Sequence, residues 1–164
     1  AAMSSSESTP TPTRSFATSA ESGWVSMMRR VRRNPSTMVA SDGGPRKLGE
    51  DLPHPRSYGN NARVLGRYVR DLKALTLEDA IRRMSSLPAR TFHLHQRGEI
   101  RQGYWADLVI FDPDTVSDPS SFDAPHKYAT GFSDVLVNGV PVIRAGQLTE
   151  ARPGGPLRKM VTAL

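Results

Sequence analysis

Residues 36–45 read STMVASDGGP, and this stretch decides how the fold of the chain is interpreted. An apolar run from Met38 to Ala40 is followed at once by Ser41, Asp42 and two glycines. Short apolar runs bounded by breakers are typical of buried strands, and Gly-Gly-Pro is typical of the turn that ends one. The stretch therefore predicts a strand that ends at Asp42.

The carboxylate of Asp42 has two interpretations. Folds built on parallel strands place their catalytic groups at the carboxyl ends of those strands, which favours a chemical role. Asp before Gly is also common turn chemistry, in which the carboxylate only caps the next turn. The local pattern by itself favours the turn, and the sequence beyond Asp42 favours a catalytic role for its carboxylate.

Length and composition limit the class of protein. With 164 residues the chain predicts one domain, or one domain with pieces of another. It is shorter than the ~250 residues that a complete barrel of eight strands and eight helices needs. The sequence has no cysteine, which excludes disulfides and thiolate metal ligands within it. It has no long apolar run and no leader pattern, so we expect a cytoplasmic protein without a membrane partner.

The charge of the chain is basic and partly local. Lys and Arg number 22 against 16 Asp and Glu, a net charge of +6, and Arg29, Arg30, Arg32 and Arg33 lie close together. A nucleic-acid patch of this kind predicts binding that depends steeply on salt. Neither interleaved aromatic residues nor a known reader motif accompanies the cluster. The solvated side of a helix is the favoured interpretation, and no nucleic-acid partner is predicted.

The first third of the chain changes character twice. Residues 1–19 are rich in Ser, Thr and Pro and are predicted to be disordered. Helical spacing then predicts a helix from about Ser19 to the stop at Pro35. Residues 45–61 read as a long irregular loop, and such loops tend to be functional. His54 lies in it, and the alternatives of an ordinary exposed histidine and a site residue stay open.

The remaining pattern predicts helices followed by strands. Apolar spacing predicts a helix over 62–75, and Thr76 with Asp79 forms the capping pattern that opens the next one. A brief further helix is expected through Phe92. Strands are predicted at 99–103 and 106–113, and Asn-Gly at 138–139 predicts a hairpin over 135–143.

His93 and His95 have the spacing of a metal-binding pair, because residues i and i+2 of an extended segment share a face. A zinc site needs at least three protein ligands, and no acidic ligand accompanies the pair. Their position after a helix favours surface histidines, so the chain is predicted to hold no metal ligand.

Three blocks of sequence together resemble the N-acyl-D-amino-acid deacylases (D-aminoacylases), a branch of the metal-dependent amidohydrolases, over about residues 21–159. The second block is common to many amidohydrolases, whereas the first and third are more specific to this branch. The blocks are 39–43 with 54–59 and 63–70; 77–90 with 97–112; and 125–131 with 135–139 and 151–154.

The resemblance implies an α/β fold: the last part of a (β/α)8 metal-dependent hydrolase barrel plus the C-terminal strands of a small β-sandwich. It also implies that the chain is a truncated fragment. The implied division is an unmatched segment, the end of the barrel with its following helices, the sandwich strands and a tail. Their bounds are 1–19, 20–95, 96–159 and 160–164.

The same resemblance implies the site. In similar enzymes the aspartate that matches Asp42 contacts the metal-bound water, so Asp42 is the predicted catalytic residue. Ser41, Gly43 and His54 are predicted to lie near the substrate, an N-acyl-D-amino acid. Zinc is the cofactor implied for the full-length family.

The chain also departs from the family pattern. Relatives hold their metal with an early His-x-His pair and with later Cys, Lys or Glu, and His residues on preceding strands, and this chain has none of those strands. The fragment alone is therefore predicted to bind no zinc and to hydrolyse nothing. The alternative hypothesis is a non-catalytic, β-rich interaction or folding module derived from an amidohydrolase.

Overall fold

The structure, a computed structural model, describes residues 34–157. The predicted disordered segment, the first predicted helix, the arginine cluster at 29–33 and the tail at 160–164 lie outside the described residues. Within residues 34–157, no helix has the length and apolar character that crossing a membrane requires.

A helical layer comes first in the chain. It consists of α1 (Arg56–Arg63), a π-helical segment (Val64–Asp71), α2 (Leu77–Met84) and α3 (Ser86–Thr91).

The prediction that the first of these helices begins near residue 62 is wrong, because α1 begins at Arg56. Pro55 has φ −50° and ψ −32°, which is helical backbone, and its carbonyl accepts hydrogen bonds from Tyr58 and Gly59. A proline with this φ preorganises the first turn of a helix. The polar residues of α1 carry no apolar period, so the sequence pattern gave no sign of this earlier start.

The π-helical segment packs closely against the chain around Val116. The backbone N–H of Leu72 donates to the carbonyl of Arg67, 2.9 Å away, which is the wider turn of a π-helix. A Cβ on Gly66 would lie 2.6 Å from the carbonyl oxygen of Val116, and one on Gly131 would lie 2.5 Å from the Val116 Cα. The main chain at Val116 is therefore held between two positions that admit only glycine.

The predicted cap of α2 is present. Thr76 Oγ1 accepts a hydrogen bond from the Asp79 backbone N–H at 3.2 Å, as the capping pattern requires. The Asp79 carboxylate binds Arg82 and Arg83 at 2.9 and 2.8 Å. The brief helix expected after α2 is α3, with Pro88 in its first turn.

A four-stranded antiparallel sheet, in the order β1-β2-β3-β4, forms the second layer. The predicted hairpin is confirmed as β2 and β3, with Asn138 at φ 51° and Gly139 at φ 81° in the turn. The predicted strand at 99–103 is wrong: these residues are irregular and end in a turn at 102–103, and Ile100 is 89% exposed. The strands are β1 (Leu108–Phe111), β2 (Phe132–Val137), β3 (Val140–Arg144) and β4 (Gln147–Leu148).

The core lies between the helices and the start of the sheet. Phe111 of β1 and Phe132 of β2 pack against a cluster of buried residues, and Val116 is fully buried in it. The other members of the cluster are Ala62, Val64, Leu65, Leu75 and Ala80. Burial of these apolar side chains is what joins the two layers.

The strand predicted to end at Asp42 is not formed, and residues 37–47 are irregular. The Val39 N–H donates to the carbonyl of Arg83 at 3.2 Å, so this segment runs along the end of α2. A parallel strand exists only beside a hydrogen-bonded neighbour, and all strand pairs among residues 34–157 are antiparallel. What the structure shows is a mixed helical and antiparallel unit; the barrel, the sandwich and the domain bounds stay predictions.

Candidate active site

Asp42 lies where the irregular segment meets the start of α1. Its backbone has φ 51°, and its side chain is 88% exposed. Arg56 Nη2 donates to Asp42 Oδ2 at 2.8 Å. The carboxylate is therefore accessible to solvent and oriented by one arginine, the first residue of α1.

Ser41 and Gly43 form the tight turn that sets the direction of Asp42. The Gly43 N–H donates to Ser41 Oγ at 3.0 Å, a local side-chain turn. A Cβ on Gly43 would lie 3.0 Å from the Cα of Ser57 in α1. The turn thus packs directly on the helix that supplies Arg56, and a side chain at residue 43 would separate them.

His54 belongs to the same local cluster, although its connection to Asp42 is indirect. Its Nδ1 accepts the backbone N–H of Arg56 at 3.1 Å, and its ring packs edge-on against Phe122 with centroids 4.9 Å apart. The imidazole is exposed. The structure therefore brings Ser41, Asp42, Gly43 and His54 together around the first residue of α1.

Sequence reasoning missed two residues of this cluster, Arg56 and His126. Arg56 carried a signal in its position between the predicted site residue His54 and a helical pattern. His126 comes from the loop before β2, yet its imidazole contacts residues 49 and 51 of the loop that leads into α1 and Tyr58 on α1 itself. Only its place in the third block of resemblance distinguished it in the sequence.

The segment that carries Asp42 is anchored to α2 by a buried arginine. The Arg83 side chain is 2% exposed and donates to the carbonyls of Asn34 and Thr37 at 3.1 and 3.0 Å. Burial raises the pKa of its partner Asp79, but hydrogen bonds from Arg83 and Arg82 outweigh this and hold that pKa below its ordinary value. This anchor fixes the backbone a few residues before the carboxylate.

The described part of the chain does not supply a metal cage. Among residues 34–157 no group of three or more His, Asp or Glu side chains is placed to hold an ion. His93 and His95 are both exposed, in turns that follow α3. One carboxylate already paired with an arginine does not fit the donor set of a zinc site, so no chemical step is assigned to a metal here.

The sequence from residue 25 to residue 143 matches the model of the amidohydrolase family. The chain belongs to that family. Within it, the chain is similar to the N-acyl-D-amino-acid deacylases, as the sequence blocks predicted.

Two relatives from Alcaligenes xylosoxydans xylosoxydans illustrate the similarity. The chain is 46% identical to an N-acyl-D-glutamate deacylase over 132 residues, which is 80% of this chain and 26% of that protein. It is 42% identical to a D-aminoacylase over 132 residues, which is 80% of this chain and 27% of that protein. The chain therefore spans about a quarter of the length of these relatives.

Solved structures give the same picture. A D-aminoacylase matches with a TM-score of 0.69 and 42% identity, over 75% of this chain and 25% of that one. An N-acyl-D-glutamate deacylase from Bordetella bronchiseptica, complexed with zinc and a phosphonate that mimics the tetrahedral intermediate, matches with a TM-score of 0.65 and 45% identity. That match covers 75% of this chain and 27% of that one. D-aminoacylase is also described as having a binuclear metal centre.

Proposed function

We propose that this chain is the part of an N-acyl-D-amino-acid deacylase that supplies the catalytic carboxylate, Asp42. The observation that carries the proposal is the Asp42–Arg56 pair at 2.8 Å, an accessible and oriented carboxylate inside the region that matches the amidohydrolases. The 46% identity to an N-acyl-D-glutamate deacylase supports the substrate class.

The proposed reaction is hydrolysis of the amide bond of an N-acyl-D-amino acid. Water adds to the amide carbonyl, the C–N bond breaks, and the amine leaves with a proton. A carboxylate at Asp42 takes the proton from the attacking water and returns it to the leaving nitrogen. Arg56 keeps that carboxylate in one orientation, while Ser41 and Gly43 fix the turn beside it and His54 borders the substrate.

Zinc is the proposed cofactor of the whole enzyme, because a solved relative contains it. When bound, such an ion polarises the amide carbonyl and lowers the pKa of water. Residues 34–157 do not provide its cage. We therefore expect the purified 164-residue chain, incubated with zinc and N-acetyl-D-glutamate, to release no more glutamate than a blank.

A chimera tests the role of the chain directly. In the Alcaligenes N-acyl-D-glutamate deacylase, the 132 matched residues are replaced by those of this chain. We expect the chimera to hydrolyse N-acetyl-D-glutamate. The Asp42→Asn substitution in it should lower kcat by about 10²- to 10⁴-fold, the usual contribution of a general acid–base group, with zinc content unchanged.

The matched control is Asp71→Asn, which removes another exposed carboxylate paired with an arginine, here Arg70 at 3.0 Å. This variant should keep the activity of the chimera. Full activity of the Asp42→Asn chimera would overturn the catalytic assignment. A folded, zinc-loaded chimera that is inactive with Asp42 intact would favour the alternative of a non-catalytic module.

A further inference from the structure

The loop that leads into α1 is tied to a distant part of the chain by one imidazole. His126 Nδ1 lies 3.1 Å from the backbone nitrogen of Gly49, and His126 Nε2 lies 2.9 Å from the carbonyl oxygen of Asp51. The Tyr58 hydroxyl, on α1, lies 3.0 Å from the same Nδ1 and 3.3 Å from the carbonyl oxygen of Lys47. One side chain therefore joins three points of the stretch from residue 47 to residue 58.

The partners of His126 determine its tautomer. A backbone N–H only donates, so the Nδ1 that faces Gly49 carries a lone pair. A backbone carbonyl only accepts, so the Nε2 that faces Asp51 carries the proton. An imidazolium has no acceptor to offer the Gly49 N–H, so these contacts fit the tautomer that carries its proton on Nε2.

The loop has little else that holds its conformation. Residues 47–52 are all exposed, so burial contributes little there, whereas Pro53 and Pro55 are buried. The Lys47–Glu50 and Arg46–Asp51 ion pairs connect only neighbouring residues, and such exposed pairs contribute little to stability. Asp51 has a left-handed backbone, φ 57°, a conformation that Asp adopts more readily than most residues. For residues 47–52 the long-range hydrogen bonds come from His126, whereas residues 54 and 55 also contact Phe122 and Ser120.

We propose that His126 is a positioning residue for the candidate active site: its imidazole fixes the loop over residues 47–52 and ties that loop, through Tyr58, to the start of α1. Arg56, the partner of Asp42, is the first residue of that helix and lies two positions before Tyr58. That the site is catalytic rests on the proposed function, whereas the bonds of His126 are a property of this chain. Its test measures loop order and not turnover, so either proposal can fail alone.

Two variants separate the two imidazole bonds. His126→Asn keeps an acceptor near the position of Nδ1, and His126→Gln keeps a donor near that of Nε2. In the full 164-residue chain, amide exchange of Gly49 should be protected in the wild type and in His126→Asn. In His126→Gln it should rise by about tenfold or more, because the acceptor is lost. Trypsin should also cleave faster after Lys47 in the Gln variant.

The reference amide is Gly139, which donates to the Ala106 carbonyl at 3.0 Å in the hairpin turn and should exchange equally in all variants. His93→Gln, a change at an exposed histidine, is the matched control and should leave Gly49 unaffected. Equal Gly49 exchange in His126→Gln and the wild type, or an unprotected Gly49 in the wild type, would overturn the proposal.

The imidazole itself gives a readout that needs no variant. The ¹⁵N resonances of wild-type His126 near neutral pH should show a protonated Nε2 and an unprotonated Nδ1. This measurement decides the question if His126→Gln does not fold. A proton on Nδ1 instead of Nε2, or rapid exchange between the two tautomers, would contradict the proposed role of His126.

Discussion

Two turns of this molecule contain similar residues but depend on different parts of the chain. The β2–β3 hairpin turns at Asn138-Gly139, and the site turn is Ser41-Asp42-Gly43. Asn138 and Asp42 share the same left-handed backbone, both at φ 51°. The hairpin is completed by the two strands next to it, whereas the site turn is completed by α1 and α2. The local Asn-Gly pattern therefore specifies the first turn, whereas the second combines the local Ser41–Gly43 bond with packing on α1 and α2.

The largest expected loss of stability comes from a substitution that removes the long-range support of the site turn. Arg83→Met deletes the buried guanidinium that binds Asp79 and the carbonyls of Asn34 and Thr37. The loss should be about 3 kcal/mol of unfolding free energy, the lower end of the range for a broken buried ion pair, because Arg82 still pairs with Asp79; denaturant titration measures it. In this variant, amide exchange should rise more at Val39 than at Gly139.

The matched control for that substitution is Arg82→Met. Arg82 binds the same Asp79 carboxylate but is about a third exposed. Its loss should cost about 1 kcal/mol or less. Equal losses for the two variants would show that burial of Arg83 is not what anchors the segment.

An intermediate loss of stability is expected from a substitution in the hairpin turn. Gly139→Val places a β-branched residue at φ 81° and should cost about 1–2 kcal/mol of unfolding free energy. Chemical denaturation, with amide exchange in β2 and β3, measures it. The comparison change Gly154→Val, where a Cβ meets nothing within 4 Å, should be close to neutral. A large loss of unfolding free energy in Gly154→Val would show that the cost at Gly139 does not come from its left-handed backbone.

A smaller effect appears on acidification and belongs to the hairpin. Burial raises the pKa of Asp107, but a hydrogen bond from the Asn138 N–H and the contact with Arg97 hold it below its ordinary value of 3.8. A lowered folded-state pKa means that the unfolded chain binds the proton more readily, so this stabilisation is present above about pH 4 and is lost as pH falls through the folded-state pKa. Gly139 exchange, corrected for its intrinsic pH dependence, should rise there in the wild type and much less in Asp107→Asn. An unchanged acid response in that variant would assign it to another group.

The smallest effect on stability is expected at the site itself. Asp42→Asn removes an ion pair whose carboxylate is almost fully solvated, and the unfolding free energy should change by no more than about 0.5 kcal/mol. Thermal and chemical unfolding of the full chain measure this. A loss above about 2 kcal/mol would make Asp42 a structural residue and would weaken its proposed catalytic role.

The sequence was sufficient where the signal is local. Asn138-Gly139 predicted the hairpin and Thr76 predicted the start of α2, because each acts on residues within a few positions. It failed at the strand before Asp42, whose neighbours in space are far along the chain. It also failed at His126, since an imidazole that binds residues 75 and 77 positions away leaves no periodic pattern. Ser41, Asp42, Gly43 and His54 were predicted from family resemblance, and their catalytic and binding roles stay predictions.

The enclosure of Val116 limits how this protein can change over evolutionary time. Side chains added at Gly66 or Gly131 would meet main-chain atoms of Val116. Trimming the Val116 side chain therefore opens no room, and a compensating second-site mutation at 116 is not available. A side chain at either glycine would instead require the main chain around Val116 to move.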